Sequence, residues 1–124
     1  MFKLFSLVFI GGGLGSVARF GVARLFAQFM TSTLPVATFS VNIIGSFLIG
    51  LFWAIPLISD KNSGSHLLII GFCGGFTTFS AFSWENFNLL KQGDILLFCA
   101  YATLSVVLCL LATWGGYTVG KCIY

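Results

Sequence analysis

The chain alternates between long apolar runs and short polar punctuation. No charged residue occurs between Arg24 and Asp60, from Asn62 to Trp84, or from Ile95 to Gly120. Crossing the hydrocarbon of a bilayer takes about 20 mostly apolar helical residues, so each of these stretches holds one span. Another runs from Leu4 to Phe29. Backbone groups in lipid must pair within the protein, and nothing here alternates as barrel strands do, so helices are expected. The predicted spans are 4–29, 36–58, 66–90 and 95–121. Turns are expected at TSTLP (31–35), SDKNSGS (59–65) and KQGD (91–94), where Pro, Gly, Asn, Ser and Asp interrupt helices. With no long linker, repeat or low-complexity tract, residues 1–124 are read as one all-α integral membrane domain of four helices. The N-terminal run is taken as a span rather than a cleavable leader, because apolar sequence resumes beyond Arg19.

Composition agrees with this pattern. Charged residues make up 7% of the chain and hydrophobic ones 58%, whereas a soluble domain carries about 25% charge. So few charges could not cover a soluble fold of this size. The formal charge of +3 is scattered along the chain, which argues against nucleic acid as a partner. Cys73, Cys99, Cys109 and Cys122 form no CxxC pair and are read as small packing residues rather than a disulfide or zinc framework. A single histidine, His66, no paired carboxylates within a span and no metal-ligand spacing argue against an enzyme. Such a chain transports, conducts or scaffolds.

Its orientation is ambiguous. With four spans, Lys3, Lys61 and Lys121 fall on one side of the membrane, against Arg24 and Lys91 on the other, with Arg19 deeper in the first span. The Lys/Arg bias that normally sets topology is almost absent, so the chain can insert both ways. Glycines four apart (Gly11/Gly15, Gly71/Gly75 and Gly116/Gly120) offer the close-approach faces that helices use to associate in lipid. The expectation is an oligomer, best met by an antiparallel, dual-topology homodimer.

Several motifs carry candidate chemistry. GGGLGSVARF (11–20) superficially matches a dinucleotide fingerprint, but it has no preceding strand and no acidic residue before Asp60, so it reads as a packing face. Arg19 either snorkels to the interface or attracts anions beside an aqueous vestibule, since a cation within a span must face protein or water. Thr38 and Asn42 stand four apart on one helical face that Ser46 continues, and Tyr101 and Ser105 repeat the spacing in the fourth span. These uncharged donors serve either as helix-to-helix ties or as the lining of a watery path. In GFCGGFTTFSAF (71–82), the glycines and hydroxyls weaken the helix, and a break is expected at GGFTT. Irregular backbone persists in a membrane only where it is buried in protein or lines a cavity, and its free carbonyls suit Na⁺. Beyond it, Phe79 and Phe82 share a face, and Glu85 follows at the next step.

Taken in order, GGGLGSVARF, ATFSVNIIGSFLIG (37–50) and GFCGGFTTFSAF resemble the CrcB/Fluc fluoride-channel family over almost the whole chain. The resemblance implies four-helix subunits paired as an antiparallel homodimer in the inner (plasma) membrane. Such a dimer holds two pores and exports fluoride passively from the cytoplasm. By motif it assigns Phe79, Phe82, Asn42, Ser105, Tyr101 and Thr38 to the pore. Arg19 and Glu85 fall at the vestibule, and the main-chain carbonyls of Gly74 and Thr77 fall on a structural Na⁺ shared between copies. Phe76 and Ala81 depart from the pattern without touching a proposed ligand. The rival reading is a small multidrug-type proton-coupled exporter, which requires a membrane carboxylate in the first span; none is present there.

Overall fold

In the computed structural model, residues 1–30, 34–59 and 63–124 are described, so the expected turns at 31–35 and 59–65 lie partly outside them. Helix α1 spans Phe2–Phe29 and α2 spans Val36–Ala54, with a single turn, α3, at Pro56–Ser59. Ile55 leaves the helical region (φ −94°, ψ 108°), because the ring of Pro56 disfavours helical backbone at the residue before it. Continuous helix therefore closes at Ala54, short of the expected residue 58.

The third span changes character along its length. Ser65–Cys73 is wound as a π-helix, and Gly74–Phe76 (α4) continues it for one turn. Thr77 (φ −81°, ψ 161°) and Thr78 (φ −151°, ψ 114°) are extended, and α5 then runs Phe79–Lys91. Gly93 closes α5 at φ +79°, with its N–H donating to the Leu90 carbonyl and that of Asp94 to the Leu89 carbonyl. This is the left-handed helix stop that glycine favours. Asp94 then caps α6 (Ile95–Ile123) by accepting from the Leu97 amide at 3.3 Å. Among the described residues, four helical stretches, Phe2–Phe29, Val36–Ala54, Ser65–Lys91 and Ile95–Ile123, are long and apolar enough to cross a membrane. Their outer faces are apolar: Phe9 is 82% exposed and Leu96 83%. Faces of that kind are stable against lipid and not against water. The chain is an all-helical, multi-pass membrane protein.

The helices pack in two pairs, α1 along the third span and α2 along α6. Glycine makes both contacts possible. A Cβ on Gly11 would run into the Leu67 carbonyl, one on Gly15 into the Phe72 carbonyl, and one on Gly75 into the Gly12 carbonyl. In the other pair, Gly50 lies against the Thr113 carbonyl and Gly116 against that of Phe47. The glycines spaced by four thus bring helices together inside one protomer. Their packing partners lie within the chain, so they carry no argument for a second copy. The closely packed centre is small and includes Val41, Ile69, Cys73, Phe76, Leu89 and Tyr101.

Candidate functional site

The polar residues of α2, the third span and α6 converge where the backbone extends at Thr77 and Thr78. Thr78 starts α5, its hydroxyl accepting from the Ala81 amide at 3.2 Å, as an N-cap side chain does. Its backbone is held from α2. The Asn42 side chain accepts from the Thr78 N–H at 2.8 Å and donates to the Thr78 carbonyl at 3.1 Å. The Thr77 hydroxyl donates back to the Cys73 carbonyl at 2.9 Å.

Asn42, Ser46, Gly74, Thr77, Phe79, Phe82 and Ser105 line a cavity of about 580 Å³. Among the described residues, no Lys, Arg, Asp or Glu lines it. Ser105 is buried, and its hydroxyl has no hydrogen-bond partner among the described residues. The Phe82 ring sits between two others, its centroid 5.6 Å from Phe79 and 5.3 Å from Tyr101, at tilts of 40° and 54°. Phe79 is 78% exposed at the protomer surface.

A second cavity, about 480 Å³, is lined by Ser16, Arg19, Thr38, Thr78 and Ser80 among others. Arg19 is half-buried and turned into the protein, with Nη1 3.5 Å from the Thr77 carbonyl, long for a hydrogen bond. A third cavity, about 360 Å³, contains Thr38 and Glu85. The Thr38 hydroxyl donates to Glu85 Oε1 at 2.6 Å and the Tyr101 hydroxyl to Oε2 at 2.8 Å. One carboxylate thus ties α2, α5 and α6 together, and hydrogen bonds to an ionised group are the strong ones.

The residues singled out from sequence separate into two groups. Asn42, Ser105, Phe79, Phe82, Gly74 and Thr77 share the charge-free cavity, whereas Thr38, Tyr101 and Glu85 form a hydrogen-bonded set beside it. Arg19 belongs to the second cavity, and Thr78 forms part of the wall of both. Sequence reasoning passed over Thr78 and Asn86. Thr78 carried a readable signal, a hydroxyl residue immediately ahead of a helix. Asn86 is buried, donates to the Phe82 carbonyl at 2.9 Å, and leaves its Oδ1 without a partner among the described residues; an amide four positions after Phe82 in an apolar span was the available hint.

A family model described as "CrcB-like protein, Camphor Resistance (CrcB)" matches residues 6–117. The protein named "Fluoride-specific ion channel FluC" from Flavobacterium psychrophilum is 44% identical over 123 residues, covering 96% of this chain and 98% of that protein. Its namesake from Gloeothece citriformis is 48% identical over 118 residues, covering 93% and 94% respectively. Another from Coxiella burnetii is 42% identical over 120 residues, covering 93% and 95%. With nearly its full length matched by the family model and by these relatives, this chain belongs to the CrcB-like family.

Proposed function

We propose that this protein is a passive, fluoride-selective channel of the inner (plasma) membrane that exports fluoride from the cytoplasm and so limits its toxicity. The observation that carries this reading is the charge-free cavity holding Asn42, Ser105 and two phenylalanine rings. The names of its relatives support the choice of ion. Moving a small anion into an apolar interior costs on the order of tens of kcal/mol when nothing replaces its water. Here the replacement is piecemeal. The second N–H of Asn42 and the hydroxyl of Ser105 donate to the ion, and Phe79 and Phe82 meet it with their electropositive edges. None of these groups is a full charge, so the ion is held well enough to enter and loosely enough to leave. Arg19 raises the local concentration of anions from the second cavity. The Thr38 and Tyr101 hydroxyls donate hydrogen bonds to Glu85, which fixes the wall of the path and frees each O–H for the anion only when Glu85 releases it.

The working unit in this reading is an antiparallel homodimer with two pores. The balanced Lys/Arg distribution permits both orientations. The exposed Phe79 and the exposed Gly74, where an added Cβ would meet nothing within 4 Å, suit an interface with a second copy. A structural Na⁺ fits the interruption of the third span. The family resemblance assigns its ligands to the main-chain carbonyls of Gly74 and Thr77, and among the described residues no group of three His, Cys, Asp or Glu offers a competing site. Two carbonyls are too few for one ion, and the same pair from a second copy completes the set. When bound, the ion supplies positive charge next to the anion path. The proton-coupled exporter is disfavoured, since α1 contains no carboxylate and Glu85 has both oxygens engaged.

The test is flux from liposomes containing the purified protein. Fluoride is expected to leave far faster than chloride, with no need for a proton gradient. Equal passage of the two halides, or cation efflux that requires protons, would overturn the reading.

A further inference from the structure

We infer that Asn42 is a positioning residue that couples the anion path to the central cation site: by capturing the Thr78 amide, it frees the Gly74 carbonyl for Na⁺. This rests on the reading above that Gly74 and Thr77 hold the ion. In an α-helix each N–H returns to the carbonyl four residues back. The Thr77 amide still does so, reaching the Cys73 carbonyl at 3.0 Å. The next bond in that ladder would run from the Thr78 amide to the Gly74 carbonyl. Instead the Thr78 amide donates to Asn42 Oδ1 at 2.8 Å, and Asn42 Nδ2 donates to the Thr78 carbonyl at 3.1 Å.

Both polar ends of one side chain therefore grip one residue of the third span and hold it extended. Gly45, three positions along α2, makes room for this arrangement, because a Cβ there would collide with the Thr77 methyl. The Gly74 carbonyl loses its helical donor as a result, at an exposed position with open space around its Cα. A carbonyl deprived of its donor inside a membrane needs another partner, and a cation supplies one. The same Asn42 amide keeps a single N–H for the anion, so one side chain faces the anion path directly and acts on the cation site through Thr78. Without the amide, the Thr78 N–H closes back onto Gly74, the helix extends by one residue, and the carbonyl is lost to Na⁺.

The experiment uses the full-length purified protein and measures its thermal unfolding midpoint while Na⁺ replaces N-methylglucamine at constant ionic strength. A ligand that binds only the folded state raises the midpoint saturably. The wild type is expected to show that rise. Asn42→Leu, which keeps the bulk and removes both hydrogen bonds, is expected to need roughly tenfold more Na⁺ for the same rise. Ser105→Ala serves as the comparison: its fluoride efflux falls while its Na⁺ dependence follows the wild type. Asn42→Ser, smaller and still polar, provides the same measurement where the leucine variant fails to assemble. A wild-type Na⁺ dependence in the Asn42 variants would overturn the coupling and leave the cation reading standing. Absence of any Na⁺-specific rise in the wild type would overturn the cation reading, and the coupling with it.

Discussion

Phe82 is the ring whose removal tests the anion chemistry most directly. Its neighbours Phe79 and Tyr101 lie at centroid distances of 5.6 and 5.3 Å in tilted geometry, and each such pair contributes about 0.5–1.5 kcal/mol beyond the area it buries. Phe82→Ile keeps an apolar side chain but loses both pairs, so stability falls by about 1–3 kcal/mol. The effect on conduction comes from a different term. An aromatic quadrupole attracts a desolvated cation at its face by about 2 kcal/mol. If its edge attracts fluoride to the same extent, losing the ring slows flux roughly 30-fold. The assay is fluoride efflux from proteoliposomes followed with a fluoride electrode, alongside chromatography to show that the variant remains assembled. Phe79→Ile, measured in parallel, is expected to lower flux as well. Wild-type efflux from an assembled Phe82→Ile variant would refute the ring-edge argument, because no other group at that position could replace the contact.

Other expectations follow from the same geometry. Tyr101→Phe keeps its ring against Phe82 and removes only the donor to Glu85 Oε2; unfolding measurements in detergent should show a loss of about 1.5–3 kcal/mol. Asn42→Asp places a fixed negative charge in a cavity lined by none and is expected to suppress fluoride efflux; retained flux would remove Asn42 from the anion path. Two glycines separated by one residue, Gly13 and Gly15, should respond oppositely to alanine. Gly15→Ala drives a Cβ into the Phe72 carbonyl and loses about 1–3 kcal/mol, while Gly13→Ala meets nothing within 4 Å and gains up to about 1 kcal/mol from helix propensity, both read as shifts in the unfolding midpoint.

The sequence by itself determined that the chain lives in a membrane and crosses it with four helices. That conclusion needs only composition and run length, because the hydrocarbon layer imposes the same length and apolarity on any helix that crosses it. The periodicity of α2 and α6 also placed Asn42 with Ser46, and Tyr101 with Ser105, on common faces. It could not say what those faces meet. Thr38 and Asn42 share a face of α2, yet one donates to Glu85, 47 residues away, and the other grips Thr78, 36 residues away. Those partners depend on how α2, α5 and α6 pack, a matter of side-chain volume and helix approach that no spacing rule records. The glycines make the same point: their spacing advertised close contact, and only the tertiary structure decided that the contacts fall within one protomer. Local chemistry sets which groups can bond, and the fold chooses among them by bringing residues distant in sequence within about 3 Å.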